Sequence, residues 1–171
     1  MKMFCIKSQV FLVLLIFIAF CGLAQGADAP EPGNTPMIVG TWKLNLAKSK
    51  FTTGPPFQSR ILIWEWAGDT LTHTNHTVNS KREKSTARFS AKFDGKDYPV
   101  YEPEDVKKPA RYVRMKWIDA YTVESVNRKD GKDLTTYRHT VSKDGKTDTI
   151  TQTGTTPEGQ HGKDVLVYDK Q

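Results

Sequence analysis

The chain has 171 residues, of which 25 are Lys or Arg and 19 are Asp or Glu, giving a formal net charge of +6 at pH 7. Basic and acidic residues alternate along most of its length, which is typical of a solvated surface and excludes the concentrated basic stripe of a nucleic-acid-binding domain. The two cysteines, Cys5 and Cys21, both precede residue 27. The remainder of the chain therefore cannot form disulfides or thiolate metal sites.

Residues 1–26 are predicted to be a cleavable secretory signal peptide. Two lysines precede an apolar run from residue 10 to residue 20, and small residues follow it. A basic, an apolar and a small-residue segment in that order are typical of such a signal, with cleavage after Ala24 or Gly26. The run is shorter than the about 20 apolar residues that span a bilayer, so no stable membrane insertion is expected after cleavage. These features predict a secreted or periplasmic protein.

Residues 27–36 contain three prolines and little apolar content, which predicts a Pro-rich tether rather than a folded element. Residues 37–171 are then a single folded domain, long enough to bury its own core. Without disulfides, packing and hydrogen bonds have to stabilise it.

Period-two alternation is the dominant pattern of this domain. In residues 86–93, Ala87, Phe89, Ala91 and Phe93 occupy one face and polar side chains the other, as in a half-buried strand. Similar runs predict ten strands, at roughly 38–46, 59–66, 70–78, 86–93, 97–101, 111–117, 121–128, 134–142, 146–153 and 164–169.

Asp-Gly pairs at Gly95, Gly131 and Gly145 separate successive strand-like runs. Asp-Gly provides the positive φ angles of tight hairpin turns, so the strands should form an antiparallel meander. A meander leaves two exposed edges unless the sheet closes on itself. The predicted fold is therefore an all-β, antiparallel up-and-down β-barrel of about 8–10 strands, with a two-sheet sandwich as the alternative.

The first predicted strand opens with Gly-Thr-Trp-Lys-Leu at 40–44. A Gly-x-Trp at this position resembles the calycin-type barrels of the lipocalin and fatty-acid-binding-protein superfamily. The chain is more closely similar to a group of exported bacterial lipocalin-like proteins. The shared segments are Gly-Thr-Trp-Lys-Leu-Asn at 40–45, Lys-Phe-Asp-Gly-Lys-Asp-Tyr-Pro-Val at 92–100, Val-Ser-Lys-Asp-Gly-Lys-Thr at 141–147 and Val-Tyr-x-Lys at 167–170. This resemblance implies that Gly40 and Trp42 form a structural plug at the closed end of the barrel, but it implies no activity.

The chain also departs from these families. Fatty-acid-binding proteins hold a carboxylate with an Arg-x-Tyr on the last strand, whereas here Leu166 takes the place of the arginine before Tyr168. Uncharged lipophiles are therefore expected to bind about as well as fatty acids. The lipocalin pattern also includes an arginine late in the barrel that packs on the tryptophan. Arg138 is a candidate for that residue by type, and it is the first candidate for an inward-pointing cation.

Strand alternation places several large apolar side chains on one face of the predicted sheet. They predict either a packed core or the wall of a ligand cavity. Both interpretations remain open at this point, because about eight strands already leave room for one small ligand. The predicted ligand-binding residues are Trp64, Trp66, Phe89, Met115, Trp117 and Arg138.

The histidines do not predict a metal site or a cofactor. Residues three apart on a strand point to opposite faces, so the rings of His73 and His76 should diverge. His139 is interpreted as an isolated histidine. No local nucleophile signature is present, so an enzyme is not expected.

The leading hypothesis is an exported, monomeric binding protein that carries or senses a small hydrophobic molecule. The alternative is a non-enzymatic structural or interaction protein of the cell envelope whose barrel is filled by its own side chains.

Overall fold

The computed structural model describes residues 35–54, 56–102, 107–155 and 161–171. The predicted signal peptide and residues 27–34 of the predicted tether lie outside these ranges. The last tether residue, Pro36, is buried, and its carbonyl oxygen accepts a 3.0 Å hydrogen bond from the amide of Val39. Pro36 therefore packs against the start of the described fold.

Ten strands follow one another along the described chain, with a short 3-10 helix at Leu46–Lys48 after the first. The strands are β1 (Gly40–Leu44), β2 (Ser59–Ala67), β3 (Thr70–Val78), β4 (Lys84–Ala91), β5 (Asp97–Val100), β6 (Arg111–Asp119), β7 (Thr122–Lys129), β8 (Lys132–Val141), β9 (Thr147–Thr155) and β10 (His161–Lys170).

Consecutive strands pair antiparallel except for β4 and β5, and β1 also pairs with β10. This leaves β4 and β5 as the two edges of a single sheet. They meet at one bridge, where the backbones of Arg88 and Tyr101 exchange two hydrogen bonds of 2.9 Å each. The predicted antiparallel up-and-down barrel is confirmed as a nearly closed ten-strand barrel, and the sandwich alternative is wrong.

The tight turns form at the predicted Asp-Gly pairs. Gly95, Gly131 and Gly145 have φ angles of 72°, 76° and 70°, a region that side chains disfavour. The turns at Gly68, Gly95 and Gly145 lie at the end of the barrel where β1 begins and β10 ends, which we call the closed end. The opposite end, with the β1–β2, β3–β4 and β5–β6 connections, is the open end.

Trp42 lies at the closed end with no exposed surface. Its indole Nε1 donates a 2.7 Å hydrogen bond to the carbonyl oxygen of Ile38, and the ammonium group of Lys170 lies 5.1 Å from its ring centroid. Gly40 has a φ of 134°, and a Cβ there would lie 2.8 Å from Cε of Lys170. The cation on Trp42 is therefore Lys170, on the last strand, and not Arg138.

Apolar side chains fill the closed half of the interior. They are buried and form one cluster with Trp42, and they include Leu71, Met115, Trp117, Val123 and Val141. This half of the barrel is therefore a packed hydrophobic core.

At the open end, the β1–β2 connection is fastened to β10. Lys50 and Val165 exchange backbone hydrogen bonds of 2.7 and 2.9 Å. The buried carboxylate of Asp164 accepts hydrogen bonds from the backbone amides of Thr52 and Thr53 and from the hydroxyl of Thr53. Burial opposes ionisation of Asp164, but these hydrogen bonds outweigh it and hold the pKa of its carboxyl below the usual value.

Asp164→Asn should lower the free energy of unfolding by about 1–3 kcal/mol at neutral pH, because an amide cannot accept all of these hydrogen bonds. The folded-state pKa of Asp164 is depressed, so its contribution is present above the unfolded-state pKa of about 3.9 and is lost as the pH falls through the folded value. Urea unfolding of both proteins across this pH range measures the effect. A difference between the two proteins that stays constant as the pH falls would contradict the assignment.

Candidate functional site

The interior of the open half contains a cavity. The empty space in and around it is about 590 Å³, a volume that includes open solvent at its mouth. Its apolar wall consists of side chains from both halves of the sheet, namely Leu62, Trp64, Ala87, Phe89, Val100, Val113, Ile150 and Leu166. The packed closed end forms the floor beneath them, so a ligand has to enter from the open end.

Polar side chains are unusually frequent in the same wall. Arg60, Asn75, Arg111, Asn127 and Tyr137 all line the cavity. The two arginines occupy early positions on β2 and β6, both of which start at the open end. Successive side chains of a strand point to opposite faces of the sheet. These polar residues lie an even number of positions from inward-facing apolar residues on the same strands, so they also face the interior.

Arg60 is held at the rim by two contacts. Its Nε donates a 3.0 Å hydrogen bond to the hydroxyl of Thr77 on the neighbouring strand, and its guanidinium carbon lies 3.5 Å from the ring centroid of Phe57. Phe57 in turn packs edge-on against Phe51, with centroids 6.1 Å apart. The β1–β2 connection therefore supports Arg60 with a small aromatic cluster.

Arg111 faces the cavity from the opposite part of the barrel wall. Its Nη1 donates a 2.6 Å hydrogen bond to the carboxylate of Glu102, which is itself half exposed. Its Nε is buried and has no hydrogen-bond partner among the described residues. Arg111 thus keeps part of its donor capacity unused.

An aromatic cluster surrounds Trp64. The ring centroids of His73 and His139 lie 4.0 and 5.3 Å from the Trp64 centroid, and Phe89 lies 6.1 Å away in an edge-to-face arrangement. Burial lowers the pKa of His73 well below its usual value, and neighbouring His139 and two arginines lower it further. His73 is therefore neutral at physiological pH. The ring of His76 lies on the outer face and contacts Thr86 at 2.9 Å, so the two histidines diverge as predicted.

His139 is not isolated. Its Nδ1 lies 3.0 Å from the carboxylate of Asp148, and both side chains are buried, with 6% and 0% exposure. A carboxylate only accepts hydrogen bonds, so His139 donates from Nδ1 and its ring orientation is fixed. The pairing is diagonal, because the residue directly opposite His139 on β9 is Ile150.

An oriented imidazole can accept a hydrogen bond or a proton at Nε2, which has no protein hydrogen-bond partner within the described ranges. The described ranges also contain no group of three or more His, Cys, Asp or Glu side chains placed to hold a metal ion. Among the same residues, no helix is long and apolar enough to cross a membrane.

The predicted ligand-binding residues separate into three groups. Trp64 and Phe89 line the cavity. Trp66, Met115 and Trp117 do not line it. Met115 is fully buried in the closed half, and Trp66 and Trp117 both pack against Phe93, with ring centroids 6.1 and 5.1 Å from it.

The sixth residue, Arg138, lies outside the cavity. Its side chain is 53% exposed and contacts the carboxylate of Glu124 at 3.5 Å. Strand alternation explains this position, because both of its neighbours, Tyr137 and His139, face inward. That any of the six binds a ligand stays a prediction.

Several polar residues of the interior were not predicted, among them Arg60, Arg111 and Asp148, and His139 was not expected to be paired. Strand alternation alone indicates that each of these side chains faces the interior. Arg60 lies an even number of positions from Trp64 on its strand, and Asp148 an even number from Ile150. Each therefore faces the same side of the sheet as its apolar neighbour, which is the interior. The cross-strand partner of each residue cannot be obtained from one strand.

Neither the protein-family models nor the curated proteins with which the chain was compared give a match. The nearly closed ten-strand antiparallel barrel is compatible with a calycin-type fold. The closer resemblance to exported lipocalin-like proteins stays a prediction.

Asp148→Ala should lower the free energy of unfolding by about 2–5 kcal/mol, because it leaves a buried imidazole without its partner. Asp133→Ala is the matched control. Asp133 pairs with Arg128 on the surface and its side chain is 61% exposed, so its loss should cost less than about 1 kcal/mol. Chemical denaturation followed by circular dichroism measures both. Equal losses in the two variants would show that the buried pair contributes no more than a surface one.

Proposed function

We propose that this protein is an exported barrel that binds a small, largely hydrophobic molecule as a carrier or sensor, and that it acts by binding rather than catalysis. The observation that carries the proposal is the division of its interior: side chains fill the closed half, whereas the open half keeps an unfilled cavity with an extensive apolar wall. Concave, mostly apolar cavities with a few polar groups are the usual form of small-molecule sites.

The aromatic cluster supports the same proposal. Trp64 and Phe89 pack edge to face in the wall of the cavity, and an apolar ligand can bury its surface against these two rings. In this proposal the pair of Asp148 and His139 has a structural role, because it fixes the ring that packs against Trp64. The alternative, an envelope interaction protein with a filled barrel, needs a closed interior throughout.

Export is part of the proposal and is tested by intact mass. Protein recovered outside the cytoplasm of its own host should have lost its first 24 or 26 residues, because the small residues there fit a signal-peptidase site. A full-length product retained in the membrane fraction would contradict export without affecting the binding proposal.

Binding is tested by titration with decan-1-ol while tryptophan emission is recorded. Burial contributes about 25 cal/mol per Å² of apolar surface, and after ordering costs the dissociation constant should be about micromolar. Trp64→Phe should remove most of the emission change because Trp64 lines the cavity. Trp117→Phe is the control, since Trp117 lies in the packed closed half and its loss should leave the change intact.

Protein purified from its host and analysed by native mass spectrometry provides an independent test of binding, because a co-purified small molecule adds its mass. Absence of a saturable response to decan-1-ol and to the anionic probes introduced below, up to their solubility, would overturn the binding proposal. The interaction role would then be the better explanation.

A further inference from the structure

We propose that the ligand carries an anionic oxygen group, a carboxylate or a phosphate, which binds between Arg60 and Arg111 at the open end of the cavity while its apolar body lies against Trp64. This inference rests on the proposed binding function and specifies the ligand class. It replaces the expectation that uncharged lipophiles bind about as well as anions.

Both arginines act on the same part of the interior. Arg60 and Arg111 line one cavity from strands on different sides of the barrel. The positive charges of both also lower the pKa of His73, and both act against the burial that raises the pKa of Tyr137. Because both guanidinium groups line the same cavity and act on the same two side chains, an anionic group in the cavity would lie in the field of both.

Among the residues that the structure describes, the positive charge of this region is only partly balanced. Within the described residues, Glu102 is the carboxylate paired with Arg111, and no carboxylate lies within 4.0 Å of a nitrogen of Arg60. Two further buried carboxylates are already engaged, Asp148 with His139 and Asp164 with Thr52 and Thr53. A cation facing a partly apolar cavity is costly unless a counter-charge or hydrogen bonds compensate it. An anionic ligand group supplies that counter-charge.

Unused donors point to the same ligand chemistry. Nε of Arg111, Nε1 of Trp64 and the hydroxyl of Tyr168 are buried without a hydrogen-bond partner among the described residues, and all three side chains line the cavity. The two N–H groups can only donate. Burial raises the pKa of Tyr168, and the nearby guanidinium of Arg60 acts against that rise. The hydroxyl keeps its proton at neutral pH and can donate. Buried unsatisfied donors are rare in folded proteins, and oxygen acceptors are what they lack.

The surrounding amides add selectivity. Asn75 and Asn127 line the same end of the cavity, and each side-chain NH₂ can donate to a further oxygen. Charge-assisted hydrogen bonds from arginine to carboxylate or phosphate are the strongest of these contacts, and their planar geometry favours two parallel bonds. The site therefore favours a compact anionic group over an alcohol or an ester.

The test compares three probes of equal chain length, decanoate, decyl phosphate and decan-1-ol, by isothermal titration calorimetry. The wild-type protein should bind at least one anion about 10-fold more tightly than the alcohol, as expected for hydrogen bonds to charged groups. Arg60→Gln, Arg111→Gln and the double variant should lose this preference while the affinity for decan-1-ol changes less than about twofold. Arg138→Gln is the matched control, because this arginine lies on the outer face, and it should retain the full preference.

A measurement on the wild-type protein does not depend on how the variants fold. Raising the salt concentration should weaken binding of the anions and leave the alcohol unaffected, since salt screens charge interactions. Circular dichroism and thermal melting establish that each variant used is folded.

The outcomes separate the two proposals. Equal, salt-independent affinity for all three probes would overturn the anionic-group inference and leave the binding function intact. Binding of none of the probes would overturn both. A preference that Arg138→Gln abolishes, or that survives the double variant, would show that the anion binds elsewhere and would also overturn the inference. Tighter binding of decanoate or of decyl phosphate identifies which anionic group the site takes.

Discussion

The pairing of the first strand with the last is the interaction on which the rest of the structure depends. Register between β1 and β10 places Trp42 opposite Lys170 and Leu44 opposite Tyr168, and it joins two meandering halves into one sheet. The same pairing positions Asp164 to fasten the β1–β2 connection and brings Lys170 over Trp42. Without it the sheet would remain open, and the inward side chains of both halves would face water.

Closure imposes a parity rule on every strand, because a barrel has one interior and successive side chains alternate across its wall. The rule does not distinguish apolar from polar residues. Near the closed end, inward positions hold large apolar side chains such as Trp42, Leu71 and Met115, which pack to exclude water. Nearer the open end the same parity turns Arg60 and Arg111 inward. The cavity exists because polar groups of this kind cannot be packed as densely as the apolar floor without losing their hydration.

Buried polar groups are a cost that this interior balances unevenly. His139 is paired with Oδ2 of Asp148, whose Oδ1 has no partner among the described residues, and Asp164 is compensated by Thr52 and Thr53. Other donors, including Nε of Arg111 and the hydroxyl of Tyr168, have no partner within the described ranges. Stability alone does not account for such groups, because apolar side chains of similar size would fill the space at lower cost. The proposed binding function accounts for their location in the wall of an open cavity.

The amino-acid sequence by itself determined the local structure. Alternation in segments such as 86–93 specified the strands, and Asp-Gly pairs such as the one at Gly95 specified hairpins with positive φ. Because both are properties of neighbouring residues, the all-β meander and its closure could be predicted. The same alternation correctly places Arg138 on the outer face, between inward-facing Tyr137 and His139. The expectation that Arg138 points inward was based on residue type and family pattern instead.

Tertiary structure alone decided which inward residues meet. His139 and Asp148 are nine positions apart and touch only because β8 and β9 pair in one particular register. Arg60 and Arg111 belong to strands brought together only by the curvature of the whole sheet. The same closure separates Trp64, in the cavity wall, from Met115, in the packed floor, although both have inward parity on their strands. Parity is fixed by the period of the chain, whereas depth along the barrel axis depends on strand register and stagger, which arise only when all ten strands pair.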